Sequence, residues 1–229
     1  WDFPPNDGIG GRRWAKFAKQ LSLDNYEVFV LKSKNLNPKK KSPWFKDVEN
    51  RNIKIFEINQ HKISKWLHDY SSKFSFLKIR LAQLFFRICD KGTIFDKAIG
   101  IEDEFLSNLK DIIISNEINN VIVSGAPFNL LYYTSKLKGE LKNINIIADY
   151  RDPWTNSVNY GIRELNKNRL EHELYKQTQV LSNVDYVVAP NEFLIEQIMS
   201  SQKEIETVND KFKVITHFYD KDEVVNSTN

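Results

Sequence analysis

The feature that most constrains this chain is an alternation. Short apolar runs rich in β-branched residues recur along it, separated by longer runs in which apolar residues return every three or four positions. The short runs are 26–31, 53–58, 121–124, 144–149, 185–189 and 213–216. The 121–123 run and most of 144–147 are apolar on both faces, as strands covered on both sides of a parallel sheet must be. The first long run is 11–23, where Trp14, Phe17, Ala18 and Leu21 fall at i, i+3, i+4 and i+7, one face of a helix. Others follow at 101–116, 129–141, 162–182 and 192–201. Strand and helix repeated in this way imply right-handed crossovers. The expected fold is α/β, a Rossmann-like doubly wound parallel sheet with helices on both faces. A chain of 229 residues, 41% hydrophobic and 13% aromatic, can fill the core this requires.

In such a sheet the first glycine-rich loop follows a strand. Here Gly8-Ile-Gly-Gly11 follows only Trp1-Asp-Phe-Pro-Pro5, so 1–3 reads as the tail of a first strand that is partly missing, its body upstream of a chain that does not begin with Met. Glycines ahead of a helix allow close backbone approach, and the exposed amides with the helix dipole favour an anion. As a dinucleotide fingerprint the loop fails, because the third glycine of the pattern falls at Arg13 and the strand ending Leu31-Lys32-Ser33 offers no acid for a ribose. Gly10 and Gly11 beside Arg12 and Arg13 instead suit a phosphate, which guanidinium forks bind well. A plain tight turn onto a helix is the structural alternative.

Other classes are constrained by what is scarce. Lys+Arg 33 against Asp+Glu 30 gives a net charge of +3, too mild to argue for nucleic acid. Cys89 is the single cysteine, and no Cys/His cluster has metal spacing, so neither an internal disulfide nor a metal is expected and a reducing cytoplasm is. No apolar run reaches the roughly 18 residues of a membrane span.

Several segments, in order, resemble one family. Phe3-Pro-Pro5 with Gly8-Ile-Gly-Gly-Arg-Arg-Trp14 resembles the opening loop of bacterial glycosyltransferase-4-like N-terminal domains. Ser124-Gly-Ala-Pro127, Asp149-Tyr-Arg-Asp-Pro-Trp154, Asp185-Tyr-Val-Val-Ala-Pro-Asn-Glu192 and Val214-Ile-Thr-His-Phe-Tyr-Asp220 resemble later loops and strand ends of the same domain. The resemblance implies one half of a two-domain GT-B enzyme, a domain over 1–215 with 216–229 opening a linker. A C-terminal half beyond this sequence would bind the nucleotide-sugar donor. It implies transfer with retention and without a metal or other cofactor, to a glycan or lipid-linked acceptor in cell-surface polysaccharide synthesis, and an isolated domain that is inactive. Two departures stand out: Arg151 where many relatives carry a histidine before the aspartate, and Phe218 where glycine is usual.

Open α/β sheets bind ligands beyond the C-terminal ends of their strands. Arg151 and Asp152 are therefore the catalytic candidates. Gly10, Gly11, Arg12, Arg13, Ser124, Asp149 and Trp154 are the substrate-binding ones. Against this stand an Arg151–Asp152 structural ion pair, an Asp149 turn cap, and Trp154 as packing. Asn191 and Glu192 read equally as a helix start.

The 61–91 segment is basic and apolar together. Lys62, Lys65, Lys73, Lys78, Arg80, Arg87 and Lys91 face only Asp69 and Asp90, with Trp66, Phe74, Phe76, Leu81 and Phe85 interleaved and Ser71-Ser72 dividing two helices. It reads either as an insertion packed on the sheet or as an element lying on an anionic membrane, peripheral on the inner face of the plasma membrane. Rival functions are a sugar-nucleotide epimerase of GT-B architecture, a nicotinamide oxidoreductase and a non-catalytic sugar-binding module.

Overall fold

The computed structural model describes residues 1–34, 42–49, 51–68, 75–201 and 209–217. The Ser71-Ser72 divider, Phe74 and Phe218 lie outside the described residues. The chain is α/β with parallel sheets, and it divides into two compact units: Trp1–Asn59 with Thr216–Asn229, and Gln60–Ile215. Among the described residues the strands expected to form a single sheet over 1–215 form two, one in each unit.

In the first unit α1 (Arg12–Leu23) leads to β1 (Val28–Ser33), then a short α2 (Phe45–Val48) and β2 (Ile53–Ile58). The two strands pair in parallel from Val28 against Ile53 to Ser33 against Ile58. Phe3, Ala15, Ala18 and Val48 form the core, with Trp14, Val30 and Trp44 packed against it; of the apolar stripe read from 11–23 Ala18 is buried and Trp14 packs partly buried on the cluster, while Phe17 and Leu21 stay half-buried and Ala15 and Lys16 take the inner positions. Lys16 bridges to Asp47 at 2.8 Å with both side chains buried, fixing α2 to α1. β1 begins two residues later than expected because 24–26 terminate α1. Asn25 adopts φ 66°, Asn25 N donates to Ser22 O and Tyr26 N to Leu21 O, the pattern of a Schellman cap. No strand is formed by 1–3, although Ser33 N donates to Trp1 O at 3.3 Å.

The second unit carries α3 (Ser75–Cys89), α4 (Glu102–Ser115), β3 (Asn120–Gly125), α5 (Phe128–Lys136), β4 (Asn145–Tyr150), α6 (Lys167–Asn183), β5 (Tyr186–Ala189), α7 (Glu192–Ser200) and β6 (Phe212–Val214). Its sheet is parallel throughout, in the order β3-β4-β5-β6. β4 and β5 are largely buried, but β3 alternates. Val121 and Val123 are buried while Ile122 is 41% exposed, so the two-faced burial expected of 121–123 holds on one face only. β3 has a neighbour on one side alone among the described strands. The helix expected over 162–182 splits into a 3₁₀ turn, Ile162–Glu164, and α6. The Asn166 side chain accepts from Arg169 N at 3.1 Å and starts α6 afresh. Asn191 does the same for α7 by accepting from Leu194 N at 2.9 Å.

Candidate functional site

The C-terminal ends of β3 and β4 carry most of the predicted site. In the β3–β4 register Ser124 lies opposite Asp149 and Gly125 opposite Tyr150. Ser124 Oγ donates to Asp149 Oδ2 at 2.7 Å, and Asp149 is fully buried, so this carboxylate sits beneath the rim and not on it. β3 leaves through Gly125, Ala126 and Pro127, with cis peptides at 125–126 and 126–127, directly into α5. β4 leaves through Arg151 and Asp152.

Arg151 ties these two exits together. Its Nε donates to Gly125 O at 3.1 Å and its Nη2 to Ala126 O at 2.9 Å. Planar, permanently charged guanidinium is suited to bridging two carbonyls in this way, and hydrogen bonds from a charged donor are the stronger kind. Asp152, next in the chain, accepts from the Tyr160 hydroxyl at 3.0 Å through Oδ2. Burial, then the Asp152 carboxylate, push the Tyr160 hydroxyl up to about 12, so it stays a proton donor to Asp152 at neutral pH. Tyr160 also stands edge-on to Phe128, the first residue of α5, at 5.3 Å. Arg151, Asp152 and Tyr160 are all half-buried.

Below this rim lies a polar network that the sequence reading did not find. Trp154, expected at a substrate, is 1% exposed: its indole stacks on Phe128 at 5.0 Å and donates to Glu173 Oε2 at 2.8 Å. Glu173 Oε1 accepts from Thr93 N at 2.8 Å and from Lys176 Nζ at 2.6 Å, and Lys176 donates onward to Asn129 Oδ1 at 2.8 Å. Every member is buried. Trp154 is thus a core residue whose polar edge anchors the loop after β4 to α6.

Asp96, in the loop after α3, was not anticipated either. It is buried, and its Oδ2 accepts from Phe128 N at 2.7 Å and Asn129 N at 3.1 Å, while Oδ1 accepts from Ala98 N at 2.8 Å. It therefore satisfies the first amides of α5, the group an open α/β sheet often offers to a ligand phosphate. Burial raises its carboxyl to about 6, against the opposing effect of those backbone hydrogen bonds.

The glycine loop belongs to the first unit. A Cβ on Gly11 would overlap the Asp2 carbonyl oxygen and lie 3.3 Å from Phe3 Cα, so glycine is required there by the chain's own close approach. Arg13 is buried, stacks over Phe17 at 5.1 Å and donates from Nη1 to Thr216 O at 3.2 Å, near His217 Nδ1 at 3.5 Å. Arg12 is half-buried on the first turn of α1, and Gly10 lies in the 3₁₀ turn Ile9–Gly11 that precedes it. That helix has no side-chain cap and no acid in its first turn. At the end of β1, Lys32 is buried and donates to Glu57 Oε1 at 2.6 Å and Asn6 Oδ1 at 3.1 Å, a cation where a dinucleotide site needs an acid.

A cleft of about 410 Å³ is lined by Arg87, Phe95, Gly161, Asn166 and Arg169 among others. Arg169 is already committed there, donating to Asp90 O at 3.0 Å and Gly92 O at 2.7 Å at the end of α3. Among the described residues no group of His, Cys, Asp and Glu is arranged to hold a metal ion. The chain matches no family model and no curated protein.

Proposed function

We propose that this chain is the N-terminal, acceptor-side domain of a GT-B glycosyltransferase that transfers a sugar from a nucleotide-sugar to a glycan or lipid-linked acceptor. The reading rests on the ordered resemblance along the chain and on a parallel α/β architecture compatible with such a half. The observation that carries it is the Asp152 carboxylate. It is half-buried beyond a parallel strand, where open sheets bind ligands, and it is held by a tyrosine that stays protonated. Retaining transfer builds positive charge on the sugar and negative charge on the departing phosphate. A fixed carboxylate steadies the former or accepts the acceptor's hydroxyl proton. Arg151 acts here as a positioning residue, since its guanidinium holds the Gly125–Ala126 backbone beside the Asp152 loop. Donor binding belongs to a second half, so this chain alone should not turn over a nucleotide-sugar.

The test is steady-state transfer by the enzyme that joins this chain to that half. Asp152→Asn should lower kcat by on the order of a hundredfold or more, with the circular dichroism spectrum retained. Normal turnover by Asp152→Asn, or transfer by this chain alone, overturns the reading.

A further inference from the structure

α3 is apolar on two opposite faces, and only one is accounted for by the fold. Its inner face, Ala82 and Phe86, packs into a cluster with Leu67, Ile94 and Ile99. At 3.6 residues per turn, Leu77, Leu81, Leu84 and Ile88 project about opposite to that face. They are between 51% and 76% exposed. Phe76 and Phe85 flank them and are also exposed. No other described helix carries so long an outward apolar row.

We infer that this outer face of α3 docks in the plane of a bilayer leaflet that contains anionic lipid. The charges choose the occupant. Arg80 and Arg87 fall along one border of the apolar row and Lys78 along the other, and Arg80 lies over the Phe76 ring at 5.0 Å. Cations bordering an apolar row sink their methylene stems beside it and raise their heads to lipid phosphates. Lys62, Lys65 and Lys91 add charge of the same sign from the adjoining segments. Asp90, the first acid after α3 in the chain, has its Oδ1 engaged by Gly92 N at 2.7 Å. A second copy of this chain meeting face to face would set like charges against like, which disfavours self-association. Trp66, on the 3₁₀ turn Ser64–His68 that packs against α3, is partly exposed and suits the interface. Among the described residues no helix is long and apolar enough to cross a membrane, so the contact is peripheral. The inference does not depend on transferase activity.

Vesicle co-sedimentation of the full chain tests it without any sugar substrate. Vesicles of phosphatidylcholine with about one third phosphatidylglycerol should bind the chain at low salt and release it as salt approaches about 1 M, while pure phosphatidylcholine binds little. Arg80→Ser and Arg87→Ser should each weaken binding about fivefold. Leu81→Asp should weaken it by more than about tenfold. Phe193→Asp, at an exposed apolar position on α7, should leave it unchanged. Because Leu81→Asp changes an exposed side chain, its spectrum should match the parent; should it not fold, the two arginine variants decide alone. A chain that stays in the supernatant with anionic vesicles at low salt overturns the proposal. So does equal binding by the arginine variants, or a dimer that Leu81→Asp dissociates in the absence of vesicle binding.

Discussion

Asp96 provides a prediction whose size can be worked from the structure. Its carboxyl is raised from 3.8 to about 6, chiefly by burial. The folded state therefore binds this proton more tightly than the unfolded chain does. Between the two values the folded form holds more protons, so stability falls as pH rises from about 4 to about 6 and is level above that. Each pKa unit is worth about 1.4 kcal/mol, which puts the Asp96 contribution at about 3 kcal/mol across the window. Other carboxylates titrate in the same range, so the clean comparison is with Asp96→Asn, which does not titrate. Its amide oxygen can still accept from Phe128 N and Asn129 N, while its NH₂ confronts Ala98 N, so the variant should be destabilised at every pH. The informative quantity is the pH dependence of that destabilisation. Urea unfolding of both proteins at pH 4 and pH 7 should show Asp96→Asn costing about 2 kcal/mol more at the acid end, where the unfolded carboxyl is still partly ionised. A difference that is independent of pH, or one that grows toward pH 7, would refute the reasoning and place the Asp96 proton elsewhere.

Gly92→Ala should destabilise the Gln60–Ile215 unit by about 3 kcal/mol, because its Cβ would overlap Glu173 Oε1 and lie 2.7 Å from Lys176 Nζ inside a buried ion pair. Thermal unfolding read by circular dichroism measures it, and an unchanged midpoint would show the pair to be movable. Arg12 and Arg13 should separate. Arg13→Ala should lower stability by about 2 kcal/mol through its lost hydrogen bond to Thr216 O and its stacking on Phe17. Arg12→Ala should instead raise KM in the joined enzyme about tenfold. Equal effects of the two substitutions on both readouts would rule out the division of labour.

The strands were legible because their signal is local and strong: β2 occupies the expected 53–58, and β3, β4 and β5 lie within a residue of expectation at each end. Boundaries slipped where capping chemistry overrode periodicity. Asn25 closes α1 and takes Tyr26 with it, and Asn166 interrupts an apolar pattern that reads as one helix. The buried network was hidden for a different reason. Glu173, Lys176 and Gln177 share the face of α6 that carries Val180, so polar residues occupy the positions a helical pattern assigns to the core. Only their partners explain them, and Thr93, Asn129 and Trp154 are distant in sequence. Asp96 carries no motif at all; its role exists only because the fold brings it to the first turn of α5.

The residues that the strand-end rule selected divide by what they already hold. Gly11 accommodates the Asp2 carbonyl, Asp149 takes the Ser124 hydroxyl, Arg151 binds two loop carbonyls and Trp154 reaches Glu173. Each thereby builds the loop it occupies. The same division bears on where a phosphate could be held. The first turn of α5 already has a carboxylate against its amides, ionised at neutral pH, so a second anion there would meet repulsion. α1 presents the opposite case, with no acid in its first turn, no side-chain cap, and two arginines at its start. Of these two helices α1 is the one whose first turn has no acid to oppose an anionic substrate group, and Arg13 on that turn is already drawn into the fold through Thr216 O.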